Sequence, residues 1–243
     1  MSGIMTLHEV MHETKRKNET EIFLKLDFEK AYDKVNWNFM FHCLEKRGFC
    51  EKWMNWMEKV VSDGTVRVKI NDKVGNYIKS HKGVRQGDPL SPILFNFVAD
   101  SLARILIEAQ ENNVLTGLCS HIIPNGLIIL QYADDTIICI GDDFEKARNL
   151  KLLLYMYELM SGLKINFLKS EIFVINGDEE TTTNFADLFK CQIGTLPMKY
   201  LGVPVSPSRL RIADWIGLEE KIDKRLETWK GNCLFMAGRI TLD

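Results

Sequence analysis

Apolar and polar residues alternate with period two in three parts of this chain. Near the start, Ile22, Leu24, Leu26 and Phe28 fall on one face of a strand and Phe23, Lys25 and Asp27 on the other. Further on, the apolar runs 127–130 and 137–140 flank Tyr132-Ala133-Asp134-Asp135 and predict a β-hairpin with acids at its tip. Between them, Val66, Val68 and Ile70 alternate, and Asn71-Asp72 opens a turn into a return strand near residues 75–79.

Helical spacing fills most of the remainder. Residues 36–47 place Trp37, Phe41 and Leu44 on one face, with Gly48 as the stop. A second helix carries Trp53, Trp56, Met57 and Val60. Ser91 reads as an N-cap and Pro92 as the first residue of a long helix. Its apolar stripe is Leu94, Val98, Leu102 and Ile105, opposite a ladder of Asp100, Arg104 and Glu108. Asp142 and Glu145 suggest a capping box for a helix ending at Gly162, whose tyrosine, methionine and leucine stripe reads as core. After Pro204 and Pro207, residues 212–229 look helical.

Composition places this pattern in an ordinary globular protein. The 243 residues are 46% apolar and 26% charged, enough for one good core. No apolar stretch is long enough for a membrane span, and no basic region followed by an apolar run opens the chain, so an intracellular setting is expected. Cysteines at 43, 50, 119, 139, 191 and 233 form no Cys-x-x-Cys pair and read as reduced, mostly packed thiols. A net charge of −2 speaks against a uniformly basic nucleic-acid-binding surface, although Lys15-Arg16-Lys17 and residues 79–85 are locally basic.

The acids bring in chemistry. A pair of carboxylates at the end of two buried strands is costly unless a turn or a cation compensates. A plain acidic turn would satisfy Asp134-Asp135 alone. Two other segments change the picture: Asp27-Phe28-Glu29-Lys30-Ala31-Tyr32-Asp33, and Arg85-Gln86-Gly87-Asp88-Pro89-Leu90-Ser91-Pro92. In this order the three resemble motifs A, B and C of reverse transcriptases, closest in wording to the LINE-type, non-LTR retrotransposon branch. Residues 162–170 resemble the family's motif D and residues 196–203 its motif E.

The resemblance implies an α+β fold, a right-hand polymerase palm in which an antiparallel sheet packs against helices. It implies a palm over residues 1–205 with little of the fingers, and the start of a helical thumb over 206–243. The activity implied is RNA-directed DNA synthesis, with an RNA template, a DNA primer and deoxynucleoside triphosphates as partners; no membrane and no specific protein partner is expected. Two Mg2+ ions, replaceable by Mn2+, would be held by Asp27, Asp134, Asp135 and the backbone carbonyl of Phe28, about 3.5–4 Å apart as such chemistry requires. Asp27 and Asp134 would bridge them and Asp135 would be the more distant acid. Tyr32 would sit beneath the incoming sugar and exclude a 2′-hydroxyl, although a core aromatic role fits it too. Arg85, Gln86 and Gly87 would contact the nucleotide and template base, and Lys169 would protonate departing pyrophosphate. Tyr200, Leu201 and Gly202 would form the primer grip.

Two other readings compete. A palm that no longer catalyses would remain a nucleic-acid-binding remnant. His8-Glu9-Val10-Met11-His12 matches a zinc-protease signature, with Glu29 and Asp33 as a third ligand and its support. Its plainer explanation is an amphipathic helix that makes contact through Leu7, Val10 and Met11.

Overall fold

The computed structural model describes residues 3–62 and 64–232. In chain order the elements are α1 (Gly3–Lys17), β1 (Glu21–Leu26), α2 (Ala31–Lys34), α3 (Trp37–Lys46), α4 (Glu51–Ser62), β2 (Thr65–Val66), β3 (Lys69–Ile70), β4 (Lys73–Val74), β5 (Ile78–Lys79) and α5 (Ser91–Glu111). Then come β6 (Ile129–Tyr132), β7 (Asp135–Gly141), α6 (Phe144–Ser161), β8 (Glu171–Ile175), α7 (Glu179–Phe189), β9 (Gln192–Ile193), β10 (Met198–Tyr200), β11 (Val203–Val205) and α8 (Ile212–Asn232). They gather into two compact units. One is Asn18–Gly194; the other joins the N-terminal segment through Lys17 to the segment from Thr195 onward.

The larger unit is built on a five-stranded sheet of order β6-β7-β1-β8-β9. β1 is flanked antiparallel by β7 and β8, whereas β9 runs parallel to β8, so the sheet is mixed and not purely antiparallel as expected. The helical crossover through α7 carries the chain back across the sheet, so that β9 runs in the same direction as β8. On one face Ile22, Leu24, Ile138, Ile140 and Ile172 join a core with α3, α5, α6 and α7. The other face is also apolar: Phe23, Ile137, Cys139, Phe173 and Ile175 are buried. Alternation in β1 therefore does not separate a dry face from a wet one, and only near its end, at Lys25 and Asp27, does the second face become polar and reach solvent.

Capping follows the sequence closely but with single-residue shifts. Asn36 caps α3, its side-chain oxygen accepting from the amides of Asn38 and Phe39 at 2.9 and 3.4 Å. Asp143, not Asp142, caps α6: its backbone is extended and its carboxylate accepts from Glu145 and Lys146 amides. Ser91 is already the first helical residue of α5 and not its cap: Leu90 holds the N-cap position without a side-chain cap bond, and its own amide donates to Asp88 Oδ1 at 2.8 Å. Gly162 ends α6 in the left-handed conformation, as expected.

Several predicted faces are rotated. In α3 the buried residues are Met40 and Leu44, with Trp37 and Phe41 only partly covered. In α4, Trp53, Met54 and Val61 pack against the core while Trp56 and Val60 are exposed. α6 buries Ala147, Leu150, Leu154 and Tyr157, so the core stripe expected of this helix is met by its leucines and one tyrosine but by no methionine, while a second apolar stripe of Leu152, Tyr155, Met156 and Leu159 faces solvent. Tyr157 settles the choice, because its ring is fully buried and its hydroxyl donates to Val98 O of α5 at 3.1 Å. Burial without a charge partner pushes its phenol well above the usual tyrosine range.

The smaller unit holds α1, the β10–β11 hairpin and α8. Leu7, Val10 and Met11 are buried while His8, Glu9 and His12 are exposed, the amphipathic arrangement expected of α1. Among the described residues the cysteines are all free and only Cys50 is exposed; Cys233 lies outside them. No described helix is long and apolar enough to cross a membrane.

The choice between the two apolar stripes of α6 is testable with neighbouring leucines. Leu154→Ala should lower unfolding free energy by about 2–5 kcal/mol in urea titration, while Leu152→Ala should change it by no more than about 0.5 kcal/mol. Equal losses would show that the exposed stripe is packed.

Candidate active site

Strand pairing brings the acids together. β1 and β7 are antiparallel, with Leu26 opposite Thr136, so the register carried one residue further sets Asp27 opposite Asp135. β6 and β7 pair Tyr132 with Asp135, leaving Ala133 and Asp134 as a two-residue turn, with Ala133 at φ 54°. The hairpin tip therefore projects Asp134 beside the end of the central strand. Asp27, Asp134 and Asp135 are all exposed there.

The backbone of Asp27 is held from the opposite side. Its amide donates to Ser170 Oγ at 3.1 Å, and its carbonyl accepts from Asn166 N at 2.8 Å. Glu29 N donates to Lys164 O, completing a small antiparallel bridge of Phe28 with Ile165. That ladder uses the groups of residues 27 and 29 and turns the Phe28 carbonyl away from residues 164–166. Ser170 is buried and its hydroxyl in turn donates to Asn166 O at 2.9 Å. Lys34 and Lys164 also pair with Glu29, at 2.5 and 3.3 Å, and hold its carboxyl below the usual range, Lys34 contributing most. The carboxylate offered by the zinc-protease reading is thus committed to two lysines.

A cavity of about 490 Å³ lies beside the acids, lined by Phe28, Lys30, Ala31, Tyr32, Gln86, Gly87, Pro92 and Asp134. The Tyr32 ring stacks on buried Phe95 of α5, with centroids 4.6 Å apart, and also lines the cavity. Desolvation raises its phenol pKa, and the Asp134 charge adds to the rise. Asp135 is likewise raised, first by desolvation and then by Asp134, with Lys25 opposing. Among the described residues no three His, Cys, Asp or Glu side chains are gathered closely enough to hold a metal by themselves.

The loop before α5 forms the cavity's other wall. Gly87 sits at φ +86°, and a Cβ there would meet nothing within 4 Å, so the backbone conformation and not crowding requires glycine. Gln86 Nε2 reaches Asp33 Oδ1 at 3.5 Å, linking this loop to α2. Arg85 lines an adjoining cavity of about 460 Å³ and not this one. Lys169 is exposed in the turn before β8 and does not line the cavity. Tyr200 is buried in the smaller unit, where Leu201 and Gly202, both at positive φ, make the two-residue turn of the β10–β11 hairpin.

No local sequence pattern marks Lys30, Asp33 as a partner of Gln86, or Ser170. Lys30 stands at the cavity rim in the left-handed conformation, φ 46°, just before α2. Its signal was a lone cation between Glu29 and Ala31; the roles of Asp33 and Ser170 depend on contacts between distant segments.

Known proteins resemble this chain along its length. The transposon TX1 uncharacterized 149 kDa protein of Xenopus laevis is 28% identical over 98% of the chain. A Pol polyprotein from the type-1 retrotransposable element R2 of Popillia japonica is 26% identical over 62%, and one from the type-2 element R2DM of Drosophila melanogaster is 27% identical over 78%. The matches span only 18%, 24% and 16% of those proteins' own lengths. Telomerase from Candida tropicalis, solved in complex with a TWJ fragment of telomeric RNA, shares the fold with a TM-score of 0.57 and 16% identity, over 92% of this chain and 36% of that one. Residues 1–205, including the His8–His12 helix, match the family described as reverse transcriptase (RNA-dependent DNA polymerase). The chain therefore belongs to the reverse transcriptase family, related to the Pol proteins of non-LTR retrotransposons.

Proposed function

We propose that the site is the centre of an RNA-directed DNA polymerase palm, joining deoxynucleotides to a primer 3′-hydroxyl along an RNA template. The observation that carries this reading is the juxtaposition of Asp27 with the Asp134-Asp135 turn beside the cavity lined by Tyr32, Gln86 and Gly87. In the reaction the primer oxygen forms a bond to the α-phosphorus while the bond to pyrophosphate breaks. The donor set fits Mg2+, which takes hard oxygens and usually only one or two carboxylates, the rest being phosphate oxygens and water. Asp27, Asp134 and Asp135, with the Phe28 carbonyl, would hold two such ions, and when bound these stabilise charge on the attacking and leaving oxygens.

The chain's own groups do the positioning. Tyr32, braced on Phe95, forms the floor for the sugar and leaves no room for a 2′-hydroxyl. Gln86, tied to Asp33, and Gly87 border the nucleotide base. Lys30 offers an ammonium to the triphosphate at the rim, and Lys169 supplies the proton to departing pyrophosphate. Ser170 and Asn166 fix the Asp27 backbone, so the carboxylate approaches its partners at little entropic cost. The β10–β11 hairpin, with Tyr200 before its Leu201-Gly202 turn, would serve as the primer grip.

Primer extension on poly(rA)/oligo(dT) should fall more than about 100-fold in Asp134→Asn. Because Asp134 is exposed, the melting temperature should barely move. Activity equal to the native chain would refute the reading. Tyr32→Ala should raise ribonucleotide use relative to deoxynucleotide by about tenfold or more; unchanged sugar selectivity would remove the gate from the account.

A further inference from the structure

The segment from β2 to β5 is a two-stranded ribbon, with β2 paired to β5 and β3 to β4. It closes on Asn71 and Asp72, both at positive φ. Every residue from Arg67 to Lys82 is exposed. A ribbon with solvent on both faces is marginal alone, yet this one carries Val68, Ile70, Val74, Tyr77 and Ile78 at 48–66% exposure. Apolar surface of that kind marks an interaction site.

Charge identifies the partner. Residues 65–85 hold six Lys or Arg and one Asp, giving +5 within a chain of net −2. The one acid, Asp72, already pairs with Lys69 at 2.7 Å. Arg67 stacks its guanidinium over the Tyr77 ring, 3.4 Å from the centroid, and the ring remains 64% exposed. Cations beside an exposed aromatic ring suit a strand that offers both phosphates and unpaired bases. A duplex would hide those bases.

The ribbon's root fixes its direction. Gly83 N donates to Val35 O at 2.8 Å and Val84 N to Tyr32 O at 2.7 Å, tying the return leg to the helix that carries Tyr32. Gly83 adopts φ +82°, and a Cβ there would lie 2.6 Å from Asp33 O, so only glycine permits the close approach. The adjoining cavity at the root is lined by Lys82, Arg85 and Gln86, and Gln86 also lines the candidate nucleotide cavity. We infer that this ribbon is a docking arm for the single-stranded RNA template, guiding it along Lys73, Lys79 and Tyr77 toward Gln86. The identity of the strand rests on the polymerase reading; the binding needs no chemistry.

Fluorescence anisotropy tests this with a labelled single-stranded RNA of about 20 nucleotides, without triphosphate, over about 50 to 200 mM salt. The triple variant Lys69→Ala, Lys73→Ala, Lys79→Ala should weaken binding about tenfold or more and flatten the log–log salt slope by about two. Tyr77→Ala should weaken binding by a similar factor with the slope unchanged. Duplex RNA of equal length should bind less tightly than the single strand. Native affinity and slope in the triple variant, or preference for the duplex, would overturn the proposal. Thermal melting of each variant should match the native chain, separating lost contacts from lost fold. Asp134→Asn should bind RNA as the native chain does. Ribbon-dependent binding without any extension would therefore count against the polymerase reading alone, and extension with ribbon-independent binding against the arm alone.

Discussion

The antiparallel pairing of β1 with β7 is the constraint on which the candidate site depends. It places the end of the central strand beside the start of the acidic hairpin, so that Asp27 and Asp135 become neighbours although they are far apart in sequence. A slip of one residue would turn buried Leu26 toward solvent and bury the exposed Asp27 carboxylate, and the cost of that buried charge opposes the slip. The apolar strands thus do more than stabilise the unit: they hold carboxylates at a fixed edge where charge repulsion alone would separate them.

Loops then finish what the sheet begins. The residue 164–170 segment grips the backbone of Asp27 and Glu29, so the first acid is clamped by main-chain hydrogen bonds and its side chain is left available. On the other side, the Gln86–Asp33 link and the Tyr32–Phe95 stack join α2 to α5 and form a cavity with Asp134 on its wall. Rigid support of this kind suits a reaction in which positioning and electrostatics provide most of the catalysis. The exposed basic ribbon is rooted in that same framework through Gly83 and Val84.

The strands and the acid-bearing turn were legible because period-two alternation and an Ala-Asp-Asp turn leave few other arrangements. The family was legible in the order of the three segments, and residues 1–205 match it. Helix faces were less so. α6 carries two apolar stripes, and periodicity cannot tell which meets a neighbour; Leu150, Leu154 and Tyr157 were chosen by packing that includes the Val98 carbonyl. Neighbouring capping candidates differ only in backbone conformation, which selected Asp143 over Asp142. The parallel addition of β9, and the roles of Ser170, Asp33 and Lys30 around the site, arise from contacts between segments that no local pattern encodes.

The proposed polymerase requires Asp27 and the Asp134-Asp135 turn to act as one cation site. Its most direct test is Mn2+ binding followed by electron paramagnetic resonance, with primer–template and a deoxynucleoside triphosphate present. Native protein should bind Mn2+, and Asp27→Asn and Asp134→Asn should each weaken that binding by about tenfold or more, since each removes a ligand charge. Unchanged affinity in either variant would contradict the account, because the register would then bring together acids that do not share a cation.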